Sequence, residues 1–445
     1  MPDPRTSPAL PHAEPSPDVP VAAPPAPEPP RDTGTRTAAG LAAAQLAANG
    51  VAVIFTAIFA RVLGRADYGV LAAALSTFLI LSVPGYALQL AASRAVAAGR
   101  LGTRGELGPT VRRWGMQLAA ATFVLAIAAF ALRGPLADLL NVRAEGAAAA
   151  TLPTVTLWVL LCLERGVLAG RGAYGPVGWS IVGEAAGRLV LGLALVGVGL
   201  GTTGAYLGTP LAMALAAVVL ARVIAARTRG DVAGAPPAGL KGLFREALVP
   251  TLALALIAVL QNVDVIVVRH QVGEVQAGAY AAAAVAAKVV VWTAVGVALY
   301  VIPEAAGRTA AGRAARSVLL RAAAVVAAVA APALFVMGVA PALVLRLGFG
   351  PEYEIAADAL PLLGVAMTLL ALTYLTVNYL LARGATRFLV PLAVVALAEP
   401  VLLATGSLDR LTSFATVVLL VQLAAAAAVV LPTLRRAPAG EPARA

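Results

Sequence analysis

The stretch RVLGRADYGVLAA, residues 61–73, interrupts an otherwise apolar sequence with two arginines, an aspartate, a tyrosine and two glycines. Apolar runs lead into it and out of it. Glycine frees the backbone for a tight turn, so the stretch predicts two helices joined by a hairpin. A partial echo stands in RHQVGEVQAGAYAAAA, residues 269–284. Similar punctuation at the start of each half of the chain predicts a duplicated fold.

Of the 445 residues, 60% are hydrophobic and only 12% are charged, and the mean hydropathy is +0.88. A soluble domain carries about 25% charged residues. Apolar runs of about 20 residues recur, the length that lets a helix cross a ~30 Å hydrocarbon core. Membrane β-strands would alternate in short segments instead. The chain therefore reads as an all-α polytopic membrane protein. Residues 1–37 hold 12 prolines and no apolar run, which predicts an extended, solvated tail rather than a signal peptide. One cysteine, Cys162, and two histidines, His12 and His270, leave no disulfide framework. Neither a metal site nor a cofactor is expected.

Twelve spans follow, at about 38–60, 70–93, 114–132, 150–170, 178–198, 204–226, 247–268, 278–303, 317–343, 356–381, 388–406 and 411–433. With the N-terminus in the cytoplasm, 24 Lys and Arg fall on the inside and 7 on the outside. That bias predicts that both termini are cytoplasmic, in a multi-pass protein of the cytoplasmic membrane. It also explains the net charge of +11 without nucleic acid. The longest outer loop, about 133–149, is too short for a catalytic domain. Gly199, Gly201 and Gly204 match a dinucleotide fingerprint in spacing, but no strand precedes them, so they read as a turn.

The echo extends along the chain. Arg61 aligns with Arg269 and Tyr68 with Tyr280, and Arg171-Gly172-Ala173 aligns with Arg383-Gly384-Ala385. Six spans per half keep their orientation, so the repeat predicts two parallel six-helix lobes around a central cavity. The expected units are a tail at 1–37, an N-lobe at 38–226, a cytoplasmic linker at 227–246, a C-lobe at 247–433 and a cytoplasmic tail at 434–445.

Residues 45–97 resemble the opening of the polysaccharide-exporter branch of the multidrug/oligosaccharidyl-lipid/polysaccharide (MOP) flippase superfamily. The likeness is carried by AR-x-LG-x-x-DYG, here Ala60, Arg61, Leu63, Gly64, Asp67, Tyr68 and Gly69, with Gln45, Ser93 and Arg94 nearby. Layout is similar over 38–433, and motifs only over the first two spans. The resemblance implies a transporter, not an enzyme, that flips lipid-linked oligosaccharide for surface polysaccharide. Its partners would be the lipid-linked glycan, membrane lipids and polysaccharide-assembly proteins. On physical grounds, Gly64 and Gly69 allow the turn, Asp67 can cap the following helix, and Tyr68 suits the wet interface. The motif thus reads as an outer structural hairpin, with a gate as the alternative.

Charges inside spans are costly and mark interiors or cavities. Glu184 and Arg188 share a helix face and read as a structural pair, although Arg188 is also a candidate for the cavity wall. Lys288 lies about 15 Å into the eighth span, on one face with Tyr280 and Trp292. It can meet a sugar-diphosphate headgroup or neutralise a partner acid such as Asp264. Arg94 can attract the diphosphate on entry or anchor the span. Asp264 and Glu399, which precedes Pro400, are candidates for ion coupling. An organic-cation antiporter of the same superfamily would want a net acidic cavity, and these five charges are nearly balanced. A membrane glycosyltransferase or polymerase would want a larger outer domain than these loops provide.

Overall fold

The computed structural model describes residues 33–101, 107–231, 240–292, 294, 316–406 and 408–435. The proline-rich tail before residue 33, residues 232–239 of the 227–246 linker, the end of the eighth span and nearly all of the C-terminal tail lie outside the described residues. Among the described residues all regular structure is helical: α1 (Thr33–Leu81), α2 (Val83–Ala97), α3 (Leu107–Ala131), α4 (Arg133–Leu140), α5 (Glu145–Gly170), α6 (Tyr174–Leu195), α7 (Gly201–Arg227) and α8 (Leu240–Glu246) come first. They are followed by α9 (Leu248–Gln271), α10 (Glu274–Ala287), α11 (Arg316–Val339), α12 (Pro341–Gly348), α13 (Leu360–Ala382), α14 (Leu389–Thr405) and α15 (Leu411–Arg435). A π turn at Val196–Leu200 joins α6 to α7, and a 3-10 segment at Pro351–Ala359 leads into α13.

Nine stretches among the described residues are long and apolar enough to cross a membrane, and Leu389–Thr405 is a shorter apolar helix. Two of the nine, Gly40–Ala97 and Tyr174–Arg227, run to 58 and 54 residues. A straight 58-residue helix would be about 87 Å long, nearly three times the hydrocarbon thickness. Both stretches turn instead. Gly64 (φ 73°) breaks α1, and Gly199 (φ 92°) and Gly201 (φ 49°) break the second stretch. A side chain is rarely found at such positive φ. Phe55 and Phe59 before the first turn pack against Leu71 and Ala74 after it. The predicted turn at Gly199 and Gly201 is a turn in the structure.

Every predicted span falls at least partly on helix, with two differences. Helix begins at Thr33, five residues before the predicted first span, because the proline run ends at Pro30. The second span is broken at Ser82, ahead of Pro84, and Trp158 Nε1 donates to the Ser82 carbonyl at 3.0 Å.

The repeat is visible in backbone detail. Ala173 N–H bonds Leu168 O and Gly172 N–H bonds Ala169 O; 212 residues later Ala385 N–H bonds Leu380 O and Gly384 N–H bonds Leu381 O. Gly172 and Gly384 adopt φ of 73° and 70°. Both helices thus end in the same glycine-dependent Schellman cap. The eight-residue helices α4 and α12 also stand at matching places, each after the third span of its half.

The largest buried cluster joins α9 to α15 and takes in Ala60, Tyr68 and Ala72 of α1. A second cluster fills the space among α2, α3, α5 and α7. The α6–α7 pair closes through small residues. A Cβ on Gly208 would lie 2.5 Å from the Gly192 nitrogen and 2.7 Å from the Arg188 carbonyl, whereas one on Gly183 would meet nothing within 4 Å. Gly208→Ala should therefore cost about 1–3 kcal/mol by overpacking. Gly183→Ala should be neutral or slightly stabilising. Thermal unfolding of the two variants in detergent checks both signs.

Candidate functional site

Four helices of the C-terminal half bring polar side chains into one buried cluster. Asn262 and Asp264 come from α9, Tyr280 from α10 with Lys288 at its C-cap, Glu399 from α14 and Gln422 from α15. Tyr280 and Lys288 are eight residues apart, so they share a helix face. The residues between them are almost all alanine, which lets α10 approach its neighbours closely. Tyr280 Oη donates to Asp264 Oδ2 at 3.0 Å, and Lys288 Nζ donates to Asn262 Oδ1 at 3.0 Å. Gln422 Nε2 donates to the Leu260 carbonyl at 2.7 Å. Asp264 Oδ1, both Glu399 carboxylate oxygens and Gln422 Oε1 are buried without a hydrogen-bond partner.

The two carboxyl groups and the ammonium interact electrostatically. Burying charges without water is expensive unless they compensate one another. One ammonium can neutralise one carboxylate, so two ionised carboxylates would leave a net negative charge. A bound proton removes that excess. The sequence pointed to Asp264 and Glu399 for ion chemistry, and the structure places them in one neighbourhood. It also places Lys288 (4% exposed) and Tyr280 (0%) inside this packed cluster, whereas Trp292 is partly exposed. Lys288 and Tyr280 thus face the interior of the C-terminal half, not an open headgroup site, because their polar atoms are taken by Asn262 and Asp264.

The N-terminal half differs from the expected pairing. Glu184 lies 3.7 Å from Arg165, not against Arg188. Arg165 is also fixed by Ser180, through Nε to the hydroxyl at 2.9 Å and Nη2 to the carbonyl at 3.0 Å, and it lies over the Trp158 ring. Arg188 points to α1, with its guanidinium carbon 5.1 Å from the Phe55 ring centroid and its Nε buried without a partner. Arg165 lies near the end of α5, inside the fourth span, and not in a loop. Arg165 and the adjacent buried Glu164 sit between the apolar runs LCL and GVLAG, and that was the available signal for burial. Arg94, in the last turn of α2, is exposed.

A cleft of about 500 Å³ opens between α6 and α7 beside Glu184, lined by Trp179, Gly183, Leu215 and Val219 among others. Arg188 and Gly192 face Phe55 and Phe59 on α1 from another side of α6. The cleft thus lies on a different face of α6 from the one that meets α1.

The hairpin motif lies where the two halves meet. Arg61 donates to the Leu347 carbonyl, and Arg65 Nη1 to the Glu352 carbonyl at 2.9 Å. Tyr353 Oη donates to the Ala60 carbonyl at 2.7 Å. In the opposite sense, Arg269 Nε donates to the Asn141 carbonyl at 2.7 Å, and Asn141 Nδ2 to the Arg269 carbonyl at 2.9 Å. Arg143 and Glu274 pair across the same seam at 3.0 Å. Gly278 packs on the Arg65 carbonyl so closely that a Cβ there would overlap it, and the Cα of Gly278 would lie 3.0 Å from a Cβ on Gly69. Tyr68 is 2% exposed, with its ring against Phe349 and Tyr353. The expectation that its hydroxyl would be wet is thus corrected: the second half covers it. Asp67 is exposed and acts electrostatically on Arg269.

Removing the cluster's one ammonium should expose its charge imbalance. Lys288→Met is expected to cost about 3–5 kcal/mol, the typical penalty for a buried charge left unpaired. Adding Asp264→Asn should recover part of that loss. A double-mutant cycle on thermal unfolding checks the coupling.

Residues 35–304 match the family described as "Polysaccharide biosynthesis protein". No curated protein matches the chain. Among solved structures, it is similar to a multidrug resistance MATE family transporter of the MOP superfamily in an inward-facing conformation. The TM-score is 0.71 at 16% identity, over 88% of this chain and 94% of that one. Lipid II flippase MurJ, in an inward closed conformation, gives 0.69 at 12% identity, over 88% and 87%. A MATE transporter in an outward-facing conformation gives 0.62 at 16% identity, over 90% and 97%. At such identities the likeness is one of fold. The family match, by contrast, spans more than half of the chain, which therefore belongs to the polysaccharide biosynthesis protein family within the MOP flippase superfamily.

Proposed function

We propose that the protein flips lipid-linked oligosaccharide, a polysaccharide precursor, across the cytoplasmic membrane by alternating access. The observation that carries this reading is Arg188, a guanidinium within the fifth predicted span that lies over the Phe55 ring and, among the described residues, pairs with no carboxylate. A cation left without a partner acid suits an anionic diphosphate headgroup. Arg94, exposed at the end of α2, suits its capture from the cytoplasmic side. An organic-cation antiporter would instead need a free acid in its path. Here Glu184 is held by Arg165, Asp264 and Glu399 are buried around Lys288, and Glu164, with Oε2 unpartnered, is buried within electrostatic reach of Arg165 rather than free in a path. Several acids near the seam and the adjoining loops also have partners: Glu145 with Arg133, Glu274 with Arg143 and Glu354 with Arg346. The short outer loops also leave no room for the catalytic domain a glycosyltransferase or polymerase would want.

In this reading the chain crosses the membrane twelve times as two six-helix lobes. The two long stretches each cross twice and Leu389–Thr405 crosses once. The arginine bias puts both termini inside and the Arg61–Gly69 hairpin outside. The seam then closes the outer face. The higher TM-score against the inward-facing MATE structure than against the outward-facing one agrees with that state. Coupling falls to Asp264 and Glu399. Because Lys288 already supplies a cation there, a proton fits the cluster better than a metal ion.

Two measurements test the reading. A deletion strain should accumulate full-length polyprenyl-linked oligosaccharide, seen by lipid mass spectrometry, and lose surface glycan. Truncated intermediates would point to an enzyme, and unchanged lipids to small-molecule efflux. Arg188→Gln should lower flux at least about tenfold, the equivalent of one charge-assisted hydrogen bond, without lowering the melting temperature. Arg188→Lys should retain part of the flux.

A further inference from the structure

We propose that the seam arginines Arg61, Arg65 and Arg269 form an exit site for the diphosphate ester, and that binding there unlocks the two halves. The inference rests on the flippase reading above and goes beyond it. All three arginines hold the seam through backbone carbonyls, of Leu347, Glu352 and Asn141. A neutral carbonyl accepts one modest bond. A phosphate offers charge and two parallel acceptors, which guanidinium binds more strongly. The lock is therefore made of donors that prefer the cargo's anion to their present acceptors.

Arg269 carries this furthest. Its side chain is 2% exposed, yet Nη1 has no hydrogen-bond partner, and the closest carboxylate oxygen, of Glu274, is 3.8 Å from Nη2. Nη1 would lie 3.2 Å from a Cβ on Gly69, so this idle donor is aimed at the Arg61–Gly69 hairpin of the other half. The repeat supplies a second reason. Arg61 and Arg269 are equivalent positions in the duplicated sequence, and each reaches into the opposite half near the end of an equivalent short helix, α12 or α4. Two equivalent guanidiniums that cross the seam in opposite senses match a ligand with two phosphates.

The test is a distance measurement on the full chain in lipid nanodiscs. Leu139→Cys and Leu343→Cys place spin labels on exposed side chains of α4 and α12, and the native Cys162 is buried. Arg269→Gln and, separately, Arg65→Gln should each shift the closed-to-open ratio about tenfold toward longer separations, as expected for losing a hydrogen bond to a charged group. Arg65 is less buried, which guards against a folding failure in Arg269→Gln. Farnesyl diphosphate added to the unsubstituted seam should lengthen the separation, and neutral farnesol should not. Inorganic pyrophosphate distinguishes the source. Opening by it as well assigns the trigger to the diphosphate alone, and opening only by the farnesyl ester assigns it to the lipid-linked form; either outcome supports the proposal. An unchanged separation with both diphosphates, or opening by farnesol, overturns it. Transport of lipid-linked oligosaccharide, measured in proteoliposomes, separates the two claims: intact transport with no diphosphate response defeats the exit site and leaves the function standing.

Discussion

Gly278 lies against the carbonyl oxygen of Arg65, and that contact sets how closely the two halves approach. Any side chain at 278 would overlap the backbone it touches. Because none is there, the turn of α1 can rest on the start of α10. Arg65 then reaches Glu352, Tyr353 reaches Ala60, and Arg269 reaches Asn141. Tyr68 is buried by the same approach, against Phe349 and Tyr353. A hairpin that would otherwise be a surface turn becomes part of the largest core of the molecule.

The bilayer imposes the second constraint. Charge inside hydrocarbon must find a partner, a ring face or a proton. Each half meets this differently. In the N-terminal half Arg165 takes Glu184 and leaves Arg188 on Phe55. In the C-terminal half two carboxyl groups share one ammonium, and four oxygens stay without partners. Among the described residues the N-terminal half retains Arg188 without a carboxylate partner and Glu164 with one unpartnered oxygen, and the C-terminal half holds two carboxyl groups around one ammonium. The halves share matching helix caps and turns but differ in their buried polar residues.

What was legible in the sequence was what depends on local stereochemistry or on hydrophobic length. Gly64 and the Gly199–Gly201 turn could be read because positive φ selects glycine wherever it occurs. Arg171-Gly172-Ala173 and Arg383-Gly384-Ala385 could be matched because one helix cap demands one residue pattern. Pairing was less legible. The spacing of four put Glu184 with Arg188, but the side chain that neutralises Glu184 comes from another helix, 19 residues earlier. Tyr68 looked suited to an interface because an amphipathic ring fits equally well at a headgroup layer and under another protein surface. For Lys288 the run of alanines was the local hint of tight packing, but Asn262 as its partner depends on how α9 meets α10.

The buried cluster and the seam are built on the same two helices. On α9, Asp264 stands five residues before Arg269, about 7.5 Å of helical rise; on α10, Gly278 stands two residues before Tyr280. The Tyr280–Asp264 bond therefore ties together the two helices that Gly278 and Arg269 hold against the first half. Opening the seam must move α1 away from both. Either α9 and α10 travel as one body, with the cluster intact, or they shift against each other and break that bond. In the first case the charge state of the cluster does not influence the opening. In the second, protonating Asp264 weakens the acceptor that holds Tyr280 and so favours the shift. Coupling of a proton to transport requires the second, because two sites affect each other only through an element whose arrangement both of them bias.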